Sequence, residues 1–210
     1  MIGETIIPAL SDYRYSDVLI RETVDMKQAE ELFSFFQQHP LFRWGDANNG
    51  CEGRADAVCV LLDEWGIPNY KGWAFSGAYL RKHIGELKQN WKYHVATVLA
   101  IEHEGVVKDF VLDPATASFL RPIDDWAASI TLVPHSYYFT RQSSWYIFPS
   151  SNIRESKWNS RNRQNRKWMI QCLAGINSLR PNGRAALIFN KSRLKNTERA
   201  FEKLKKQRPF

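Results

Sequence analysis

The chemistry that this sequence could perform centres on a thiol at the start of a predicted helix. Cys51 follows Gly50 in the stretch NNGCEGRADAVCVLLDEWG, where apolar residues then recur at intervals of three and four. A helix N-terminus favours negative charge, so it lowers the pKa of a thiol placed there. Two interpretations stay open at this point: a small core residue, or a nucleophile held where a thiolate is favoured.

A predicted β-hairpin downstream carries a histidine and an aspartate. Residues 93–102 alternate in the manner of a strand, the sequence HEG forms a turn, and residues 106–112 return as the partner strand. His94 and Asp113 lie almost equally far from the bend near Glu104, so we expect them to face each other within about one residue pair. A slip of one residue would place them on different faces of the sheet.

Cys51, His94 and Asp113 together supply what a cysteine nucleophile needs. An imidazole accepts the thiol proton and later returns it, which is the role expected of His94. A carboxylate fixes the tautomer and orientation of that imidazole, which Asp113 can do. Arg54 lies one turn beyond the thiol, and we expect it to pack its stem and bind a nearby carboxylate or carbonyl.

An acyl-transfer reaction would also need donors for the oxyanion. The backbone N–H of Cys51 is one by position, because it opens the helix. We expect the second donor to be the side chain of Asn48 or Asn49, or the indole N–H of Trp44. Trp44 and Trp91 flank the two segments, and we expect them to wall the cleft.

Other segments of the sequence predict the elements that position these residues. Residues 25–38 read as a helix capped by Asp25, because apolar residues follow at helical spacing. Residues 70–76 read as a strand. Residues 161–179 and 193–207 read as two further helices, the last of them basic.

Cysteine and histidine usage indicates a reducing compartment and no metal site. Three cysteines are too few for a disulfide scaffold, and Cys59 and Cys172 lie on apolar helix faces, where we expect them to pack. The spacing of the remaining histidines is not that of a metal site, so no metal or other cofactor is expected. Those histidines, which we expect in loops or at the surface, are His39, His83, His103 and His135.

Positive charge is concentrated at the end of the chain. Residues 1–150 carry 13 Lys and Arg against 19 Asp and Glu, whereas residues 151–210 carry 16 against 3. We therefore expect a catalytic core in residues 1–150 and a basic helical extension in residues 151–210 that packs on it or stands apart. The extension could be a solvated face, or it could bind an acidic partner or an anionic membrane surface. No nucleic-acid-binding motif is visible, so nucleic acid is not an expected partner.

Three segments of the sequence resemble the bacterial protein-glutaminases, which deamidate glutamine side chains in proteins. Residues 49–55 fit a G-C-x-x-R-A element, and residues 91–101 fit a W-x-Y-H-V-A strand. Residues 110–126 fit an I/L-D-P element followed by a proline and a tryptophan. The three segments occur in the family's order and lie within residues 44–127.

The resemblance implies a fold, an activity and three residue roles. The fold would be α+β and papain-like or transglutaminase-like, with the nucleophile-bearing helix packed on an antiparallel sheet and basic helices added at the C-terminus. Cys51, His94 and Asp113 would be the nucleophile, the base and the orienting acid in deamidation of protein-bound glutamine through a thioester. The same triad would also serve a transglutaminase or a cysteine protease. A non-catalytic binding module that uses the basic C-terminal region is the alternative of another class.

The resemblance also raises the question of where the protein acts. Secreted members used in food carry a leader, a pro-segment and disulfides, none of which is visible here. The N-terminal stretch MIGETIIPALSDYRY lacks the basic and apolar regions of a signal peptide, and no run of 18 apolar residues exists. We therefore expect a cytoplasmic protein, or an effector delivered by a specialised secretion system into a host cell, where it would modify one host protein.

Overall fold

The computed structural model describes most of the chain around the predicted hairpin and helix. The described residues are 14–16, 22–46, 50–75, 87–88, 91, 93–132, 138–143, 158–176 and 184–210. They form one mixed sheet and the helices that cover it. Among them, no helix is both long enough and apolar enough to cross a membrane.

Helices and strands alternate irregularly along the chain. The helices are α1 (Met26–Gln38), a 3-10 turn (Pro40–Phe42), α2 (Cys51–Glu64), α3 (Ile123–Ile130), α4 (Trp158–Leu173) and α5 (Arg184–Leu204). The strands are β1 (Arg14–Ser16), β2 (Tyr70–Phe75), β3 (Tyr93–His103), β4 (Val106–Leu112), β5 (Arg121–Pro122) and β6 (Tyr138–Gln142). The predicted α+β class is confirmed by this arrangement.

The six strands form a single sheet in the order β1-β6-β2-β3-β4-β5. All pairs from β6 to β5 are antiparallel, as predicted for the core of the sheet. At one edge, however, β1 runs parallel to β6, so the sheet is mixed. The central strand β3 carries residues that are buried along almost its whole length, because helices cover both of its faces.

The β3–β4 hairpin closes through a two-residue turn. Glu104 and Gly105 both have positive φ angles, of 55° and 74°, which is the twist that joins two antiparallel strands most tightly. The register pairs Thr97 with Leu112. His94 and Asp113 are therefore offset by two residues, one more than predicted, and an even offset leaves both on the same face.

Helix α2 is seated on the sheet by apolar packing and one buried ion pair. Ala55 packs with Trp73 and Val95, which come from the two central strands. The Lys71 ammonium lies 2.6 Å from the Asp56 carboxylate, and both residues are buried. Because each charge would be costly to bury alone, the pair fixes how α2 sits on β2.

The last two helices pack against the same core as α1 and α2. Met169 and Leu173 of α4, with Phe201 and Leu204 of α5, belong to one cluster of buried side chains that α1 and α2 share. Trp65, at the end of α2, donates its indole N–H to the backbone carbonyl of Lys205 at 2.8 Å. The division of the chain at residue 150 into core and extension stays a prediction.

Both C-terminal helices differ in extent from the predictions. Helix α4 ends at Leu173 because Gly175 adopts a left-handed φ of 64°, and Ile176 donates back to the carbonyl of Gln171. The predicted end at residue 179 was therefore wrong. Helix α5 begins at Arg184, nine residues before the predicted start, so the basic stretch is the second half of a longer helix.

Candidate active site

The start of helix α2 presents the candidate nucleophile. Gly50 is the N-cap residue and has a φ of 88°, a conformation that residues with a Cβ adopt only at a cost. The helix therefore begins at Cys51, as predicted. The thiol of Cys172 on α4 donates to the Gly50 carbonyl at 3.1 Å, which ties this corner to the C-terminal helices.

The candidate base and acid meet in the interior of the protein. The Nε2 atom of His94 on β3 lies 2.7 Å from Oδ2 of Asp113, the first residue after β4. Both side chains are almost wholly buried, with 3% and 4% of their surfaces exposed. The contact predicted from the hairpin is thus present, and the two side chains that form it are shielded from solvent.

Two further side chains hold the Asp113 carboxylate. The Thr116 hydroxyl donates to Oδ2 at 2.6 Å, and the Trp126 indole N–H donates to the same atom at 3.0 Å. Burial alone would raise the pKa of Asp113, but the charge and hydrogen bonds of His94, with these two donors, hold that pKa below its usual value. The carboxylate is therefore ionised at neutral pH.

The ionised carboxylate determines which nitrogen of the imidazole carries the proton. A carboxylate only accepts hydrogen bonds, so Nε2 of His94 must donate to Asp113. In the neutral ring the lone pair then belongs to Nδ1, which can accept a proton. The Trp91 indole stacks on the imidazole at a centroid distance of 4.5 Å. Of the two tryptophans predicted to wall the cleft, Trp44 lines the pocket.

The thiol of Cys51 has a different kind of surroundings. It is half-buried, and it donates to Oε2 of Glu52 at 3.3 Å. Burial, and then the charge of Glu52, raise the pKa of Cys51 well above its ordinary value; a backbone hydrogen bond from Val95 and the charge of Arg54 only partly offset this. The lowered pKa that the helix N-terminus predicted was therefore wrong for the resting site.

The thiol, base and acid line one pocket that opens to solvent. The pocket is small, with a cavity volume of about 10 Å³, and Cys51, His94 and Asp113 all line it. Trp44 and Arg54 line it too. The three residues predicted to act together are thus gathered at one place.

Of the three side chains predicted as the second oxyanion donor, the structure describes only Trp44. The indole N–H of Trp44 donates to the carbonyl of Phe36 at 2.7 Å, so the prediction that it serves as the second donor was wrong. Asn48 and Asn49 lie outside the described residues. Arg54 donates to the carbonyl of Asp46 at 3.0 Å, as expected of it.

The remaining cysteines and histidines have structural surroundings where they are described. The Cys59 thiol is buried between the Tyr70 carbonyl and the Thr97 hydroxyl, and burial raises its pKa to about 12. His39 accepts from the backbone of Leu41 and begins the 3-10 turn, and His103 is exposed near Glu104. His83 and His135 lie outside the described residues. Within the described parts of the chain, no three metal-ligating side chains come together.

Reasoning from the sequence missed the roles of Glu52 and Thr116. Glu52 directly follows the candidate nucleophile, so its position alone was a signal that it could influence the thiol. Thr116 stands three residues after Asp113, the spacing at which a turn brings a hydroxyl back to a carboxylate. Trp126 was noticed only as part of a motif, whereas the structure shows that it donates to Asp113.

A match to a protein-family model contains the whole candidate site. Residues 29–130 match a family model described as glutaminase. This segment includes Cys51, His94 and Asp113. Among curated protein sequences, none matches the chain.

Solved structures with the same fold are those of protein-glutaminases. A crystal structure of a protein-glutaminase aligns at 16% identity and a TM-score of 0.51, over 72% of this chain and 91% of its own. A crystal structure of pro-protein-glutaminase aligns at 17% identity and a TM-score of 0.50, over 72% of this chain and 60% of its own. An NMR structure of the protein-glutaminase from Chryseobacterium proteolyticum aligns at 17% identity and a TM-score of 0.49, over 70% and 88%. The two crystal structures confirm the predicted papain-like or transglutaminase-like fold.

Proposed function

We infer the function from one premise: through residues 29–130, the chain belongs to the glutaminase family. As a member of that family it is a glutamine-deamidating hydrolase. We propose that its substrate is glutamine within a protein, which is the substrate that the names of its structural neighbours imply. We further propose that Cys51 carries the acyl group, that His94 transfers the protons and that Asp113 orients His94.

The observation that carries this proposal is the placement of one thiol and one oriented base in the same pocket. His94 is held through Nε2 by Asp113 at 2.7 Å, and Cys51 lines the pocket that these two residues line. An imidazole fixed in this way keeps Nδ1 as its proton acceptor. Such a constellation serves nucleophilic attack on a carbonyl carbon.

In the proposed first half-reaction, Nδ1 of His94 takes the thiol proton as Sγ of Cys51 attacks the carboxamide carbon. The carbonyl oxygen becomes an oxyanion, which the backbone N–H of Cys51 would stabilise. His94 then gives the proton to the nitrogen, the carbon–nitrogen bond breaks and ammonia leaves. A thioester between Cys51 and the glutamine side chain remains.

In the proposed second half-reaction, water replaces ammonia. His94 takes a proton from the water as its oxygen attacks the thioester carbon, and the carbon–sulfur bond then breaks. The proton returns from His94 to Sγ of Cys51, and the side chain leaves as glutamate. The sum is glutamine plus water to glutamate plus ammonia, and no metal or other cofactor takes part.

The raised pKa of Cys51 adds one feature to this mechanism. With the thiol protonated at rest, the proton must pass to His94 before or as the sulfur attacks. The base is therefore needed for acylation as well as for hydrolysis.

Ammonia release from a glutamine-containing substrate tests the proposal. The wild type should release ammonia from a protein or from Cbz-Gln-Gly, and the modified glutamine should gain about one dalton. Cys51→Ala should abolish the release, because no nucleophile remains. Cys59→Ala is the matched control, since Cys59 is buried away from the pocket, and it should keep the activity.

The products separate the alternative reactions of the same triad. A transglutaminase would form cross-links when a lysine amine is supplied, and a cysteine protease would cleave peptide bonds. A binding module would release no ammonia, and Cys51→Ala would leave its binding unchanged. Absence of ammonia release from every glutamine substrate, including candidate target proteins, would contradict the proposal.

We also propose where the enzyme finds its substrate. The three cysteines are free, which suits a reducing cytoplasm, either its own or that of a host cell reached through a specialised secretion system. Exposed cations on α5 would steer an acidic target protein or an anionic membrane to the enzyme. They are Lys191, Lys195, Arg199 and Lys203, and Lys206 follows just after the helix. If they steer a protein substrate, replacing them should raise KM for the target protein but not for Cbz-Gln-Gly.

A further inference from the structure

The feature from which we infer more is the carboxylate beside the candidate nucleophile. Oε2 of Glu52 accepts the thiol hydrogen of Cys51 at 3.3 Å. Oε1 of the same carboxylate accepts from the phenol of Tyr93 at 3.2 Å. Glu52 is thus held from both sides, with one oxygen directed at the sulfur.

Among the described residues, no basic side chain forms an ion pair with Glu52. The ion pairs of those basic side chains involve other carboxylates. Glu52 is half-buried, so water screens its charge only partly. Any group that reaches the sulfur of Cys51 therefore approaches a negative charge, which the guanidinium of Arg54 in the same pocket offsets only in part.

We propose that Glu52 makes the Cys51 site selective for carboxamides over carboxylates. This inference rests on the proposed function, because it names what distinguishes the substrate side chain from its product. Glutamine and glutamate have nearly the same shape at the reacting carbon. They differ in hydrogen-bond donors and in charge, which are the two properties that a neighbouring carboxylate senses.

Geometry brings the reacting group within reach of Glu52. A carbon poised for attack lies about 3–3.5 Å from the sulfur, and Oε2 lies 3.3 Å from the same sulfur, so the carbon and Oε2 are at most about 7 Å apart. When Cys51 gives its proton to His94, Oε2 loses its donor. An N–H of the carboxamide can replace it, whereas a carboxylate would bring a second negative charge.

This arrangement also gives the reaction a direction. Hydrolysis converts a neutral side chain that Glu52 accepts into an anionic side chain that Glu52 repels. The glutamate product should therefore leave readily, and acidic side chains should not occupy the pocket as inhibitors. The selectivity has a cost. The charge of Glu52 also disfavours ionisation of the Cys51 thiol, so the thiolate fraction at rest is lower.

Alkylation of Cys51 by a matched pair of reagents tests the proposal without turnover. Iodoacetamide carries a carboxamide and iodoacetate carries a carboxylate, and both transfer their carbon to sulfur with loss of iodide. The measured quantity is the ratio of their two rates at Cys51, divided by the same ratio for a free thiol. Trypsin separates the three cysteines into peptides 44–54, 55–71 and 168–184, so mass spectrometry reads Cys51 alone.

The decisive variant is Glu52→Gln, which keeps the shape and the hydrogen-bonding capacity but removes the charge. The normalised ratio, taken as the iodoacetamide rate over the iodoacetate rate, should be at least about five in the wild type. It should fall toward one in the variant. Both rates should rise because the thiol ionises more easily, but that effect cancels in the ratio. Glu64→Gln, the same change at the far end of α2, should leave the ratio as in the wild type.

A ratio that stays unchanged in Glu52→Gln, or that falls equally in Glu64→Gln, would overturn the proposal. If Glu52→Gln does not fold, Glu52→Ala is a second variant that removes the charge, and the normalised ratio should fall toward one in it as well. A ratio that keeps its wild-type value in Glu52→Ala would likewise overturn the proposal. Because alkylation needs no glutaminase activity, these outcomes do not depend on the outcome of the ammonia test.

Discussion

The two halves of the candidate site are built in opposite ways. The half that holds the base is dry and saturated with hydrogen bonds, since Asp113 accepts from His94, Thr116 and Trp126. The half that holds the nucleophile is half-buried, and its thiol donates only weakly, at 3.3 Å, to Glu52. The first half is ordered before substrate arrives, whereas the second must exchange a partner when substrate arrives.

This difference shows how the chain divides two tasks. Pre-organisation of the base lowers the cost of reaching the transition state, because no group need be reoriented there. In the proposed mechanism, a thiol that stays protonated at rest is less prone to oxidation and alkylation, since the thiolate is the reactive form.

The largest expected effect comes from disturbing the base half. Asp113→Asn should lower kcat for ammonia release by about 10²–10⁴-fold, because an amide can hold His94 in the wrong tautomer. Ammonia kinetics with a saturating glutamine peptide give the value. Asp125→Asn, an exposed change on α3, is the control and should leave kcat unaltered. A kcat within threefold of the wild type in Asp113→Asn would remove Asp113 from the mechanism.

A smaller effect is expected from moving the nucleophile half as a whole. Gly50→Ala places a Cβ against the Cys172 sulfur in a backbone with a φ of 88°. The strain should cost about 1–2 kcal/mol of folding free energy, and displacement of Cys51 should lower kcat by up to about 10²-fold. Urea unfolding and ammonia kinetics measure the two effects.

The double variant separates the two causes of that loss. Gly50→Ala with Cys172→Ala removes the clash but keeps the backbone strain, so kcat should recover more than stability does. If the double variant is no more active than Gly50→Ala alone, the clash does not displace Cys51. The backbone conformation itself would then be what the site requires.

Removing one donor from Asp113 should have a still smaller effect on activity. Trp126→Phe leaves the ring in place but deletes a hydrogen bond to a charged group, which should cost about 1.5–3 kcal/mol of stability. The activity should fall by only about tenfold, because His94 and Thr116 still hold the carboxylate. Thermal unfolding and kinetics on the same preparation provide both values. A loss of activity as large as that in Asp113→Asn would show that Trp126 does more than hold the acid.

The smallest expected effect lies in the response to alkaline pH. The folded-state pKa of Cys59 is raised to about 12, so its contribution to stability is fully present below the unfolded pKa of about 8.5 and is lost as pH rises toward 12. Between pH 8 and pH 10 this one thiol should cost about 1–2 kcal/mol. Urea unfolding under reducing conditions should show a smaller loss over that range in Cys59→Ala. An identical loss in both proteins would contradict the assignment.

The sequence predicted the base half of the site better than the nucleophile half. Alternation along β3 and the short turn at Glu104 fixed the hairpin, and an even offset then put His94 and Asp113 on one face. Gly50 also correctly predicted that α2 begins at Cys51. Yet the electrostatic state of the thiol depends on where one flexible side chain, Glu52, points, and spacing does not encode that.

The elements that were missed have physical reasons too. Helix α3 was not predicted, although Ile123, Trp126, Ala127 and Ile130 recur at helical spacing, because the segment was read only as a motif. Strand β1 was also missed. It pairs in parallel with β6, and the partners Arg14 and Tyr138 are more than 120 residues apart along the chain. Pairing between such distant segments leaves no local pattern in the sequence. The domain boundary at residue 150, the residue roles and the cellular location remain predictions.

The most direct test of the central claim is to trap the proposed acyl-enzyme. The wild type is mixed with a glutamine peptide, quenched in acid within the first turnover and digested with trypsin. The account predicts that peptide 44–54 gains the mass of the substrate less one ammonia, and that Cys51→Ala shows no such product. An adduct on a different peptide, or ammonia release that persists in Cys51→Ala, would contradict the claim that deamidation proceeds through a thioester at Cys51.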